Sequence, residues 1–181
     1  MCHDEVMILA RLILGLLNLA PMTGYDLKKH FDSSVNHFWH ADKAQIYRTL
    51  AQLVRDGLAT VRTVPQEHYP DRQEHQITEA GRRELEAWLG SPLGPDPVRE
   101  PFLARVFFAG DMERAEVLDL LDHRRAQAQA QLAEFEAMHA DLGDAAVRDR
   151  RAYLMAATLD GGIRHVRAEI EWLDSTKENL P

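Results

Sequence analysis

The sequence predicts a mostly α-helical protein with one small antiparallel β-hairpin, and three observations carry that prediction. Apolar residues recur at helical spacing, with start and stop signals, from Val6 to Val54. Leu58 to Val64 instead alternates apolar and polar positions, and His75 to Thr78 reads as the returning strand. Beyond a break at Ser91–Pro101, which holds four prolines and one glycine, two long amphipathic segments fill the chain. Three helices followed by a two-stranded hairpin is the order of a winged helix-turn-helix. The expected domains are 1–90 for that winged domain, 91–101 for a linker, and 102–181 for an antiparallel long-helix hairpin.

Taken in order, Val6 to Leu19 is a helix apolar nearly all round, with Leu9, Leu12, Ile13, Leu16, Leu17 and Leu19. Such a helix needs cover on several sides, so a second domain or subunit is expected to help bury it. Pro21 ends it. Thr23 caps a second helix, Tyr25 to Ser33, with Leu27 and Phe31 on one face. The third helix starts at Asp42. Asp42-x-x-Gln45 reads as a capping box, in which a side-chain acceptor and a backbone amide are exchanged reciprocally. Ile46, Leu50, Leu53 and Val54 form its buried stripe, and Gly57 stops it. Pro65 to His75 reads as the hairpin tip. Thr78 caps a fourth helix through Leu89, with Glu79 near its positive end.

In the second half, Phe102 to Phe108 is a short helix stopped at Gly110. Asp111 is expected to cap a long helix reaching Leu142, with Leu121, Ala128, Phe135 and Leu142 spaced by sevens. Gly143-Asp144 makes the turn, and Ala145 to Thr176 is the returning helix. Arg125 falls on the heptad track, at the edge of the seam or in an ion pair across it. Gly161-Gly162 costs about 2 kcal/mol relative to two alanines, which favours close helix packing over a ligand-adjacent kink.

The outer face of the third helix carries the functional expectation. At about 100° per residue, Ala44, Arg48, Ala51 and Arg55 point away from the buried stripe. Gln45, Tyr47 and Gln52 flank them. Arginine pairs with guanine, glutamine with adenine, and small residues allow close approach in a DNA major groove. A plain solvated face is the alternative for an isolated helix. Net charge is −8, with 21 Lys+Arg against 29 Asp+Glu, which argues against a strong non-specific polyanion binder. The deficit is concentrated in the second half: residues 1–90 are −2, residues 91–181 are −6, and Lys43 to Arg72 is +2.

The single cysteine, Cys2, excludes an intrachain disulfide framework and a thiolate metal cluster. No secretory signal or membrane span is expected, since Val6–Leu19 is short and contains Arg11; a cytoplasmic setting follows. His30, His37 and His40 lack carboxylates at ligand spacing and read as structural or surface histidines, so no metal and no cofactor is expected. His68, Asp71 and His75 have no pocket or nucleophile motif around them, so no catalytic group is expected either. Trp88, Phe107, Phe108, Tyr153, Met155 and Trp172, together with Phe102, are candidates to line a cavity for a small aromatic effector. Core or dimer interface is the more usual use of such residues.

Three runs are similar to the PadR family of bacterial transcriptional regulators: LILGLLNLAPMTGYDLKKHF, FWHADKAQIYRTLAQLVRDGLAT and PDRQEHQITEAGRRELEAWL. The second half resembles the long-form subfamily by architecture, with an extended helical dimerisation domain. The resemblance implies a homodimeric repressor of a two-fold double-stranded DNA operator. It also implies, for some members, release by a small aromatic or drug-like molecule. Carried over by position, Gln45, Tyr47 and Arg48 lie on the recognition helix, Tyr25 and Lys28 on the helix before it, and Pro70, Asp71 and Arg72 in the wing. Lys43, Ala44, Gln52 and Gln73 complete the expected DNA-contact set. Arg48 stands where proline is common, His68 for glycine, Gln73 for lysine and His75 for tyrosine, so the wing is less basic than the family pattern. A winged adaptor that binds protein, without salt-dependent DNA affinity, is the alternative class.

Overall fold

The computed structural model describes residues 3–65, 71–94, 99–142 and 149–181. The chain divides into two compact units, residues 1–93 and 94–181.

In the first unit, α1 (His3–Leu19) is followed by β1 (Met22–Thr23), α2 (Gly24–Ser34), α3 (Lys43–Arg55), β2 (Ala59–Val64), β3 (Arg72–Ile77) and α4 (Glu79–Leu89). This is a winged helix-turn-helix. α1 is the centre of the unit. Its Leu9, Ile13, Leu14, Leu16 and Leu17 are buried, and they pack with Leu27 and Phe31 of α2, Ile46, Leu50 and Leu53 of α3, and Leu85 of α4. Each such side chain contributes about 1.5–3 kcal/mol on burial. The winged unit itself therefore covers most of the helix that was expected to need a second domain, leaving Met7 and Leu19 exposed. Arg11 emerges from the core to an ion pair with Glu84 on α4.

The sheet has three strands in the order β1-β3-β2, all antiparallel. β2 and β3 pair from Ala59–Ile77 at the base to Val64–Arg72 toward the tip. The returning strand thus starts three residues earlier than the sequence suggested. β1 was not anticipated: Met22 and Thr23 pair with His75 and Glu74 and tie the start of α2 to the wing. Pro70, His68 and the rest of the hairpin tip at 66–70 lie outside the described residues.

Two tight contacts lock the wing to the helices. The Thr78 hydroxyl donates to the Gly57 carbonyl at 2.8 Å and accepts from the Gly81 amide at 3.0 Å, capping α4. A Cβ on Gly81 would lie 2.2 Å from the Leu58 carbonyl oxygen, so only glycine fits there without a shift.

The second unit contains α5 (Pro101–Phe107), a 3₁₀ turn (Ala109–Asp111), α6 (Arg114–Leu142) and α7 (Arg150–Glu178). Asp111 does not cap α6. It lies in the 3₁₀ turn, where the Met112 amide donates to the Ala109 carbonyl at 3.0 Å, and the Glu116 side chain accepts from the Glu113 amide at the true helix start. α7 is capped by Asp149, which accepts from Ala152, so it begins later than expected; Gly143-Asp144 lies outside the described residues.

α6 and α7 close on two apolar clusters. Ala128, Phe135, Leu159, Ile163 and Val166 form one, and Ala109, Val117, Leu121 and Leu173 the other. Ion pairs fix their register: Arg125 is bidentate to Asp174 at 2.6 and 3.0 Å, Arg124 meets Glu169, Arg167 meets Glu136, and Lys177 meets Asp122. A Cβ on Gly161 would meet nothing within 4 Å. Close helix packing within the described residues does not account for it.

Candidate nucleic-acid interface

The interface is built on α3. Its capping box is complete: Asp42 accepts from the Gln45 amide at 2.7 Å, and the Gln45 side chain accepts from the Asp42 amide at 2.8 Å. Ile46, Thr49, Leu50 and Leu53 are buried, which fixes the rotation of the helix. Gly57 then closes it at φ +72°, the left-handed conformation that favours glycine. The rotation leaves Lys43, Ala44, Tyr47, Arg48, Ala51, Gln52 and Arg55 on the solvent side. Among the described residues of the first unit, none buries these side chains.

Not every residue on that face is equally available. Gln45 commits its amide oxygen to the cap. Gln52 is engaged at both ends, donating to Asp56 and accepting from Arg55. A bidentate adenine contact by Gln52 would have to share its amide with those two partners.

Tyr47 is held by a different element. A Cβ on Gly24 would lie 2.8 Å from Tyr47 Cε1 and 2.9 Å from Cζ, so the missing side chain at the first residue of α2 is what seats the phenol. Lys43 Nζ lies 5.6 Å from the centre of the same ring, within cation–π range. Tyr25 stands 69% exposed one residue further along α2. Lys28 is paired with Asp32 on the same helix.

The wing base completes the surface. Arg72 Nη2 donates to Asp26 Oδ2 at 3.0 Å, and the Thr23 hydroxyl donates to the same oxygen at 2.7 Å. The Thr23 hydroxyl also accepts from the Asp26 amide at 3.1 Å, capping α2. The Thr23 hydroxyl, aided by Arg72, holds the Asp26 carboxyl below its usual range against a smaller opposing effect of burial. Gln73 is turned across the hairpin toward Thr63, with its Nε2 3.0 Å from the Thr63 hydroxyl. Thr23, Gly24, Tyr25, Asp26, Tyr47 and Arg72 line a cleft of about 530 Å³ between α2, α3 and the wing. Sequence reasoning missed Thr23, Gly24 and Asp26 as parts of this surface. The Thr-x-x-Asp spacing is the signal that could have found them; the sequence reading names only Thr23, as a helix cap.

The six aromatic and methionine candidates for an effector cavity do not come together within either unit. Trp88 packs on the core of the first unit. In the second, Trp172 meets Phe102 edge-on at 6.2 Å, and Phe107 and Phe108 form an edge-to-face pair at 5.0 Å while about 80% exposed. Tyr153 and Met155 are exposed on the first turns of α7. His37 meets Phe38 edge-on, and the His40 ring lies 2.9 Å from the Asn36 side-chain oxygen. Among the described residues there is no group of three or more His, Cys, Asp or Glu placed to hold a metal, and no helix is long and apolar enough to cross a membrane.

A winged helix-turn-helix with a solvent-facing third helix, joined to a long-helix hairpin, is the build of a transcriptional regulator. The comparisons give the particular family. Residues 13–87 match the transcriptional regulator PadR-like family, and residues 98–181 match the family described as virulence activator alpha C-term. The negative transcriptional regulator PadR of Bacillus subtilis is 31% identical over 132 residues, 72% of each chain. The probable transcriptional regulator Rv1176c of Mycobacterium tuberculosis is 30% identical over 96% of this chain and 98% of its own. The crystal structure of B. subtilis PadR in complex with operator DNA superposes with a TM-score of 0.84 at 27% identity, covering 96% of this chain and 99% of that one. The same protein in complex with p-coumaric acid gives 0.81 at 25% identity, covering 94% and 97%. The chain belongs to the PadR-like family of transcriptional regulators, a family of regulators and not of enzymes.

Proposed function

We propose that this protein is a homodimeric repressor that binds a two-fold DNA operator, inserting α3 of each chain into successive major grooves. The observation that carries the reading is the solvent-facing side of α3, where Arg48 and Tyr47 project beside the small Ala44 and Ala51. Small residues admit the helix to the groove, and Arg48 supplies the bidentate donor set that guanine accepts. Tyr25, Lys43 and Arg72 flank it with groups suited to phosphates. The operator complex of the related B. subtilis protein supports the same use of the fold.

Dimerisation is supported by the second unit, whose Leu103, Phe107, Phe108 and Leu154 remain exposed in the single chain. Half-sites one helical turn apart, about 34–36 Å, then match the two-fold axis of the pair. A cytoplasmic location follows from a chromosomal partner. The test is operator binding by the natural chain and by Arg48→Ala. The variant is expected to bind about 1–3 kcal/mol more weakly and to lose discrimination at one base pair. Unchanged affinity and sequence preference would remove Arg48 from the interface.

A second reading adds an effector. The p-coumaric acid complex of the related protein supports binding of a small aromatic acid, and release from DNA on binding is the second reading. It requires the acid to prefer one arrangement of the chain over another. Aromatic acids that raise the melting temperature and weaken operator binding together would support it; a rise without weakening would not.

A further inference from the structure

We propose that Asp26 is a positioning residue for DNA binding, holding the Arg72 guanidinium at the mouth of the cleft between α2 and the wing so that its remaining donors meet a backbone phosphate. This rests on the DNA-binding reading above and names a role on that surface for an acidic residue.

An acid beside a phosphate-binding surface is at first sight a liability. Removing a negative charge near a polyanion strengthens binding if nothing else changes. The geometry argues that something else does change. Arg72 is the first residue of β3, next to the hairpin tip, and its pairing with Val64 is the last described rung of the ladder. A long, half-exposed arginine at such a place loses much rotamer freedom on meeting a phosphate. Asp26 removes that freedom beforehand. Its Oδ2 takes the Arg72 Nη2 at 3.0 Å and the Thr23 hydroxyl at 2.7 Å, and it sits in the first turn of α2, where a carboxylate is favoured. Guanidinium carries five N–H donors in a rigid fork, so one bond to Asp26 leaves the others for a phosphate. The tether also crosses the sheet: Thr23 is paired with Glu74 through β1, which ties α2 and Asp26 to the wing base.

The test is a mutant cycle of Asp26→Asn, Arg72→Ala and the pair in the full chain. The probe is a fluorescent 30-base-pair duplex of mixed sequence, titrated across a range of salt. Phosphates are present in any duplex, so no operator is needed. Asp26→Asn is expected to weaken binding about three- to tenfold and to lower the salt slope by about 0.9, the value of one lost phosphate contact. In the Arg72→Ala background the same substitution is expected to change affinity by less than twofold, and Asp26→Glu is expected to restore part of the loss. Equal or tighter binding by Asp26→Asn overturns the proposal, as does an equal loss in both backgrounds. No salt-dependent binding by the natural chain, either to this duplex or to the DNA flanking its gene, overturns the DNA-binding reading and this inference with it; binding that Asp26→Asn leaves intact overturns this inference alone.

Discussion

Gly24→Ala separates the seating of the recognition helix from the stability of the fold. The added methyl would stand 2.8 Å from Tyr47 Cε1 and 2.9 Å from Cζ. Carbon–carbon contacts are most favourable at about 3.5–4.0 Å, so the ring must retreat by roughly 0.6–1 Å. Tyr47 is 40% exposed, so it has room to swing outward and the core need not open. A displaced rotamer costs about 0.5–1.5 kcal/mol. Alanine recovers up to about 1 kcal/mol over glycine in a helix, and Gly24 has no positive φ to forbid it. The two nearly cancel, and the melting temperature is expected to move by no more than about 3 °C. DNA binding has no such compensation. A hydrogen bond to a charged group contributes about 1.5–3 kcal/mol, so a misplaced Tyr47 hydroxyl weakens binding by between about tenfold and a hundredfold. Fluorescence anisotropy on an operator duplex, with Tyr47→Phe alongside, measures this. Natural affinity in Gly24→Ala would refute the argument, and so would a loss of stability as large as the loss of affinity.

Two further predictions concern the frame of the winged unit. Gly81→Ala places a carbon 2.2 Å from the fixed Leu58 carbonyl oxygen and is expected to cost about 1–3 kcal/mol in urea unfolding; a neutral result would mean that α4 is not seated on the wing as described. Burial lowers the His75 pKa below 6.5, against smaller opposing effects of the Met22 and Gln73 backbone. The folded form therefore resists protonation that the unfolded chain accepts. Stability is full above about 6.5 and is lost as pH falls from there toward the folded value. His37 shifts in the same direction, so His75→Gln is expected to lessen the fall in melting temperature between pH 7.5 and 5.5 without abolishing it. An unaltered fall would exclude His75 as a source.

The local signals in the first half translate directly into structure. The Asp42–Gln45 box, the Thr78 cap and the Gly57 stop are each set by a few adjacent residues, and all three form as their chemistry requires. The buried stripe of α3 is equally local, and its rotation determines which side chains face solvent. What escaped the sequence depends on distant partners. β1 is two residues long, too short for any periodicity, and exists because β3 offers Glu74 and His75 beside it. The Asp26–Arg72 tether joins residues 46 positions apart, and the contact of Gly24 with Tyr47 depends on the packing of two helices. Asp111 misled because a good capping residue stands three positions before Arg114, the start of the helix it does not cap. Trp88 was grouped by residue type with the aromatic residues of the second half, although it lies on the fourth helix of the first unit, where it packs on that unit's core.

Guanine methylation protection on the DNA flanking the gene tests the central claim most directly, because the reagent attacks N7 in the major groove. The account predicts two clusters of protected guanines, centred about 10 base pairs apart, with at least one guanine in each re-exposed by Arg48→Ala. Protection that Arg48→Ala leaves intact, or binding that protects no guanine in the major groove, would contradict it.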